Sequence, residues 1–483
     1  MKVRTVMLVV GLAAATGMLH AADWPMWGGT PQRNMVNHVE KNIPASWDTA
    51  TGKNIKWVAR LGSQTYGNPV VAHGKVLVGT NNQSELRPGI TGDKGVVLCF
   101  RESDGELLWQ MTHDKLAAGR VHDWPQQGIC STAAIDGDRF YYVSNRCELV
   151  CADLNGFLDG ENDGPFTDEK WTTEKDGDII WKLDMIEELG VFPHNLSTSS
   201  PTFDDKRVYV VTSNGVDEAH QVLPAPSAPS FLAIDKKSGK IAWESNAPGE
   251  HILHGQWSSP ALGTMGGVRQ IIFPGGDGRV YSFVPESGKL LWSYQCNPKD
   301  SVWKLGGLGT RNNIIATPVI HDDKVFISVG QDPEHGEGPG SLHAINGTLR
   351  GDITDKGAVW RKTDVQRSMS TVAIDNGVLY FCDLSGMLRA LDPNTGKEFW
   401  KHDVFAAVWS SPSVVDGKVF LGDEDGDLVV LAAGHKKQKL FEGNFGSCVY
   451  TTPVAANGVL FVTSRDHLFA LQQGASSDPA KVK

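Results

Sequence analysis

Short apolar runs recur along almost the whole chain, separated by pairs of turn-forming residues, and their spacing predicts strands of a few residues rather than helices. The segment from Ser370 to Trp400, STVAIDNGVLYFCDLSGMLRALDPNTGKEFW, shows the pattern most fully. Asn376-Gly377, Ser385-Gly386 and Thr395-Gly396 stand between its apolar runs. Such pairs supply the positive φ angles of tight hairpins, so the unit predicts four antiparallel strands in a meander. A meander of this size is one blade of a β-propeller.

The unit begins at Pro69, Thr132, Pro201, Pro260, Pro318, Thr371, Pro412 and Pro453, which gives eight repeats. Seven of them end in an aromatic residue, at Trp109, Trp181, Trp243, Trp292, Trp360, Trp400 and Phe441. The eighth runs out at Leu468-Phe469-Ala470-Leu471 without a fourth strand. One strand is left over at the other end, Asn54-Ile55-Lys56-Trp57-Val58, and it carries the missing Trp. The expected fold is therefore all-β: an eight-bladed β-propeller of four-stranded antiparallel blades. Ile55 to Leu61 is its closing outer strand. Pairing the chain ends removes exposed sheet edges. A seven-bladed ring is the alternative. The Trp at a fixed place in each unit is expected to pack against the next blade.

Composition changes this picture mainly at the ends. Lys2 and Arg4 precede an apolar stretch from Val6 to Ala15, and small residues follow at Ala21 and Ala22. This reads as a signal peptide over residues 1–22, cleaved near Ala21/Ala22, and it is too short for a membrane span. The expected organisation is then a propeller over 23–474 and a flexible tail over 475–483, in a periplasmic or secreted monomer. The formal net charge is −11, and losing Lys2 and Arg4 makes it more negative still. That argues against nucleic acid and anionic membrane surfaces as partners. No later stretch is apolar enough to span a bilayer. The 53 glycines and 15 tryptophans suit many short strands with tight turns. The seven cysteines include no adjacent pair and no CxxC. Cys147 and Cys151, in one extended strand, would lie about 13 Å apart, too far to bridge. Mostly buried thiols are expected.

LRALDPNTGKEFW, FLAIDKKSGKIAW and VYSFVPESGKLLW resemble the tryptophan-docking repeats of quinoprotein dehydrogenase-like propellers. That superfamily includes PQQ-dependent alcohol dehydrogenases and the outer-membrane assembly scaffold BamB. The segment Asp23-Trp24-Pro25-Met26-Trp27-Gly28-Gly29 is similar to the opening of many secreted PQQ-like repeat proteins of planctomycete-type bacteria. The resemblance covers nearly all of the mature chain and implies the fold. It is shared by enzymes and scaffolds, so it implies less about function. The chain departs from the dehydrogenases in having no Cys-Cys pair, and from BamB in having no lipidated cysteine and in carrying long loop insertions.

Strand parity assigns loops to faces. In a four-strand meander the turn between the second and third strands shares a face with the connection to the next blade. Most long insertions fall there: Gly119 to Gly128, Gly190 to Thr198, Val216 to Ser230, Ala247 to Gln256, Asn297 to Asn313 and Gln331 to Gly340. Loops of this kind carry function more often than strands do. Three positions before each repeat start stand Tyr66, Ile129, Thr198, Trp257, Ile315, Ser368, Trp409 and Tyr450, expected to ring the channel mouth. The aromatic members either stack on a flat cofactor or sugar, or plug the channel.

Loops of this face supply His194, His254, Asn312, Arg311 and Arg367, the two arginines as a clamp for an anionic group such as a quinone carboxylate, or as surface ion pairs. Asp332, His335 and Glu337 are candidates for acid–base or metal chemistry, or form a solvated acidic loop. On the other face, Asp159, Glu161 and Asp163 resemble the start of a calcium loop, but Lys170 stands where the closing Glu of that pattern belongs. The leading expectation is a propeller that binds a protein or small-molecule ligand at its loop-rich face. The alternatives are a PQQ-dependent oxidoreductase with bound calcium, and a carbohydrate-binding or carbohydrate-active secreted protein.

Overall fold

The computed structural model describes residues 22–478 and 480, so the expected signal peptide lies almost wholly outside the described residues. Eight sheets form the ring, in the predicted order. The first blade runs Val70–Ala72, Lys75–Asn81, Lys94–Arg101 and Leu107–Asp114. The last is built from Val454–Ala456, Val459–Thr463 and His467–Ser476, and its outer strand is Lys53–Arg60 from the other end of the chain. Ile55 pairs with Leu471, Trp57 with Ala470 and Arg60 with His467, so the ring closes as the leftover strand required. Its partner, His467–Ser476, takes two residues from the segment expected as a tail. Two sheets gain a short parallel fifth strand, Val36–Asn37 beside Ser413–Val415 and Gly351–Asp352 beside Leu290–Gln295. All seven cysteines are unpaired.

The repeat signature has a direct mechanical reading. The indole N–H at the end of one blade donates to a backbone carbonyl in the outer turn of the next: Trp57 to Glu102, Trp181 to Lys236, Trp243 to Pro285, Trp360 to Pro393 and Trp400 to Gly434, at 2.7–3.0 Å. The ring lies on the glycine of that turn. A Cβ on Gly396 would stand 2.8 Å from the Trp360 ring, and its φ of +70° independently favours glycine. Trp292 departs from the rule because the following blade carries the 346–358 insertion. Its N–H donates to Gln270 Oε1, and Gln270 Nε2 passes the link on to the Gly347 carbonyl. Phe441 has no N–H and packs edge-on against Trp47 at 4.8 Å.

The Ser/Thr residues at the repeat starts form an inner belt. The backbone N–H of Asn68 donates to the Thr132 hydroxyl, Thr132 to Ser200, Ser200 to Ser259, Thr371 to Ser411 and Ser411 to Thr452. Thr452 donates in turn to the Asn68 side chain, which links the last blade to the first.

The segment from Trp24 to Asn37 crosses the axis at the face of the short inner turns. Trp24, Pro25, Pro31, Gln32, Asn34, Met35 and Asn37 each bond to the innermost strand of a different blade. Arg33 completes the set. It is fully buried, and its guanidinium donates to the carbonyls of Trp27, Ser200, Pro201 and Pro260. Burial pushes its pKa down to about 9, so it remains charged at neutral pH. The channel is therefore stoppered at one end, and this stopper was not foreseen from the repeats.

Replacing Arg33 with Ala strands several buried carbonyls at about 1–3 kcal/mol each. Chemical denaturation of Arg33→Ala is expected to show a loss of at least about 3 kcal/mol. A loss within experimental error would mean that the axial segment does not hold the blades.

Candidate functional site

Above the stopper, on the loop-rich face, lies a cavity of about 400 Å³. Trp27 of the axial segment and Ser200 and Ser259 of the belt are among its lining residues. Six of the eight predicted mouth residues line it: Tyr66, Thr198, Trp257, Ile315, Trp409 and Tyr450. In the other two blades the phase slips by one residue. Cys130 and Met369 face the cavity, while Ile129 enters the core and Ser368 donates its hydroxyl to the Cys382 carbonyl. Tyr66 stacks on Tyr450 at 5.3 Å and on Trp409 at 6.0 Å, so three aromatics form one wall. Burial raises both tyrosine hydroxyls well above their ordinary range and keeps them neutral. Trp257 stands apart from that wall, in T-shaped contact with His254 at 5.1 Å. The side-chain amides of Asn68, Gln127 and Asn195 line the cavity, whereas no Lys or Arg is among the lining residues.

Beside Trp257 the loops gather a histidine cluster. His194 comes from the connection between the second and third blades, His220 from a loop within the third, and His254 from the connection to the fourth. His194 Nε2 lies 3.2 Å from His220 Nε2, and His254 Nε2 lies 3.3 Å from that same atom. His194 Nδ1 faces the Val216 carbonyl at 2.8 Å, and His254 Nδ1 faces Asp332 at 3.1 Å. Burial, reinforced by His254, pushes the His194 pKa down to about 3. Burial also works against ionisation of Asp332, but hydrogen bonds from His254 and His335 outweigh it and hold the carboxyl well below its usual range. The bond to Asp332 raises His335, whose Nδ1 faces that carboxylate at 2.9 Å and whose Nε2 faces the Gly306 carbonyl at 3.0 Å. With an acceptor facing each nitrogen, the surroundings of His335 favour its protonated ring, which can donate to both.

The structure thus brings His194, His254, Asp332 and His335 together, and adds His220. That residue sits in a loop recognised as an insertion, but nothing in the repeat pattern singles it out. Glu337 is exposed and outside the cluster. Arg311 and Arg367 do not line the cavity. Arg311 Nε donates to the Ser301 hydroxyl. Arg367 donates to the carbonyls of His335 and Gly336 and to Asn312 Oδ1, while Asn312 Nδ2 donates to the Pro339 carbonyl. These residues brace the 331–340 loop. In the second blade, Asp159 and Asp163 meet the buried Asp153, whereas Glu161 is exposed and its backbone N–H donates to Asp159. Burial, helped by neighbouring carboxylates, pushes Asp153 up to about 6.

A profile of the family described as outer membrane protein assembly factor BamB matches residues 171–383, 346–439 and 385–476. The chain belongs to this family of BamB-like PQQ-repeat propellers. BamB of Yersinia pestis is 23% identical over 79% of this chain and 82% of its own length. A polyvinylalcohol dehydrogenase of a Pseudomonas species is 25% identical, over 64% of this chain and half of its own length. Among solved structures, BamB of Moraxella catarrhalis superposes with a TM-score of 0.55 over 88% of this chain and 98% of its own, at 14% identity. A europium-containing methanol dehydrogenase superposes with a TM-score of 0.61, over 91% and 89%, at 12% identity. These structural likenesses establish the shared fold; the BamB-like scaffold is common to an assembly factor and to dehydrogenases. No described helix is long and apolar enough to cross a membrane.

A brace and an anion clamp respond differently to mutation. Arg367→Ala removes charge-assisted hydrogen bonds worth about 1.5–3 kcal/mol each. Amide exchange in residues 331–340 is expected to speed up by about tenfold or more, with the blades unaffected. Unchanged exchange there would remove the bracing role.

Proposed function

We propose that this chain is a binding propeller whose axial cavity takes a neutral ligand with apolar faces and a hydroxyl rim, of the carbohydrate class. The observation that carries the reading is the composition of the wall. Tyr66, Trp257, Trp409 and Tyr450 offer ring faces, Gln127 and Asn195 offer amides that bond to no other described side chain or backbone group, and Asn68, whose Oδ1 accepts from Thr452, offers its amide N–H. Sugars present C–H faces to aromatic rings and hydroxyls to amides, and the cavity size suits a ligand of a few rings.

PQQ, the cofactor that the family resemblance suggests, fits this wall poorly. It is a planar quinone bearing several carboxylates, and such groups need cationic or well-aimed N–H partners when buried. The lining holds neither Lys nor Arg, and Asp332 and Glu334 add carboxylates beside His254. Cys130 is the one cysteine in the lining, so no cysteine pair faces the ligand. We therefore derive no redox step. Export is part of the same reading: the amino-terminal pattern and the outer-membrane assembly relatives support it, and the exported protein should begin at Ala22 or Asp23.

The test is calorimetric titration of the full mature protein with neutral mono- and disaccharides and, separately, with PQQ. Saccharide binding is expected to weaken about tenfold in Trp409→Ala and to fall in Gln127→Ala, since an aromatic stack contributes about 0.5–1.5 kcal/mol beyond area burial. Stoichiometric retention of PQQ, or failure of every neutral saccharide to bind, would overturn the proposal.

A further inference from the structure

We propose that His194, His220 and His254 together bind one divalent late-transition-metal ion of the zinc class. The inference stands on the geometry of these side chains and does not depend on which ligand occupies the cavity.

The first argument is the placement of protons. A neutral imidazole has one donor nitrogen and one acceptor nitrogen. His194 Nδ1 faces a backbone carbonyl and His254 Nδ1 faces a carboxylate, and both partners only accept. The proton of each ring therefore sits on Nδ1, and each Nε2 carries a lone pair. Both lone pairs point at a single atom, His220 Nε2. One N–H there serves one neighbour at a time and leaves the other lone pair facing nitrogen at close range. A cation at the centre satisfies all of them.

The second argument is metric. Zinc binds histidine nitrogen at about 2.0–2.1 Å in tetrahedral geometry, which sets the ligand nitrogens about 3.3 Å apart. The separations from His220 to the other two are 3.2 and 3.3 Å. An all-imidazole set suits zinc, copper or nickel rather than calcium or magnesium. Three protein ligands leave a fourth position for water or for a ligand atom, and His254 also lines the cavity.

The third argument is the supporting shell. Asp332 holds the far nitrogen of His254 and is itself held by His335, the carboxylate–histidine arrangement that orients metal ligands. Two glycines make the convergence possible. A Cβ on Gly215 would stand 2.7 Å from the His194 Cβ, and one on Gly306 would stand 2.6 Å from that of His220. His220 itself has a φ of +57°, a conformation that non-glycine residues adopt at a cost. A simple hydrophobic plug needs none of these features.

The test uses tag-free, full-length mature protein stripped of metal by chelator and titrated with zinc and with cobalt(II). One zinc per chain is expected by calorimetry, and cobalt is expected to give the intense visible absorption of a tetrahedral site. His194→Ala, His220→Ala and His254→Ala should each abolish that absorption. Asp332→Asn, which keeps the fold but weakens the positioning bond, should lower zinc affinity about 10–100-fold. His343→Ala, at a buried histidine outside the cluster, should bind zinc like the wild type, and metal-free melting curves identify any variant that fails to fold. Absence of zinc binding to the wild type, or an unchanged cobalt spectrum in folded histidine variants, would overturn the proposal.

Discussion

The placement of one indole ring on one glycine, across the boundary between blades, is the contact on which this architecture depends. Most blades bury a Trp against the next, and its N–H finds a carbonyl in the turn that the glycine closes. The contact is directional, so it fixes both the spacing and the tilt of neighbouring sheets. It cannot be completed at the last blade unless the two chain ends meet, which is why Trp57 reaches Glu102 in the first blade. Ring closure and repeat packing are in this sense one constraint. The inner belt of hydroxyls repeats the same logic near the axis, with Asn68 and Thr452 as its seam.

This constraint explains why so much of the fold could be read from sequence. A glycine turn, a terminal Trp and a Ser/Thr-Pro start recur because each is one half of an inter-blade contact, and their count gives the blade number. The leftover Trp57 strand was legible because a missing aromatic is conspicuous in a repeat. The axial segment was not legible for the opposite reason. Trp24 to Asn37 occurs once, and about half of its bonds to the blades are between backbone groups, which leave no mark on residue type. Arg33 carries a signal only in retrospect: a lone arginine there gives no hint that three of its four partners lie 167 to 227 residues away.

The site was legible in outline. Counting back from each repeat start found the aromatic part of the cavity wall, because that position is set by the belt beneath it. Where the connection enters differently, at Ile129 and Ser368, the neighbouring residue took the place instead. Charged residues in the loops were harder to read. Arg367 looked like a partner for an anionic ligand, but the long 331–340 loop needs donors for its own carbonyls, and the arginine meets that need first. His194 and His254 were visible as polar residues in long connections, whereas their convergence on His220 depends on three separate loops and could not be inferred from spacing.

Charge around the histidine cluster links its two neighbouring features. Asp332 is held in its ionised form and the bond to it favours the protonated form of His335, so the two charges offset one another while Asp332 orients His254. The three converging rings contribute no carboxylate of their own. An ion held there would keep most of its charge at the open coordination position, because neutral imidazoles compensate a dication less than carboxylates or thiolates do. The adjoining cavity wall offers no competing Lys or Arg. A hydroxyl oxygen lodged against Trp257 can fill that position, binding as a neutral group and becoming more acidic on coordination. The cavity wall and the proposed metal site are then complementary: the wall supplies no cationic side chain, and the ion supplies one open position to an oxygen of the ligand.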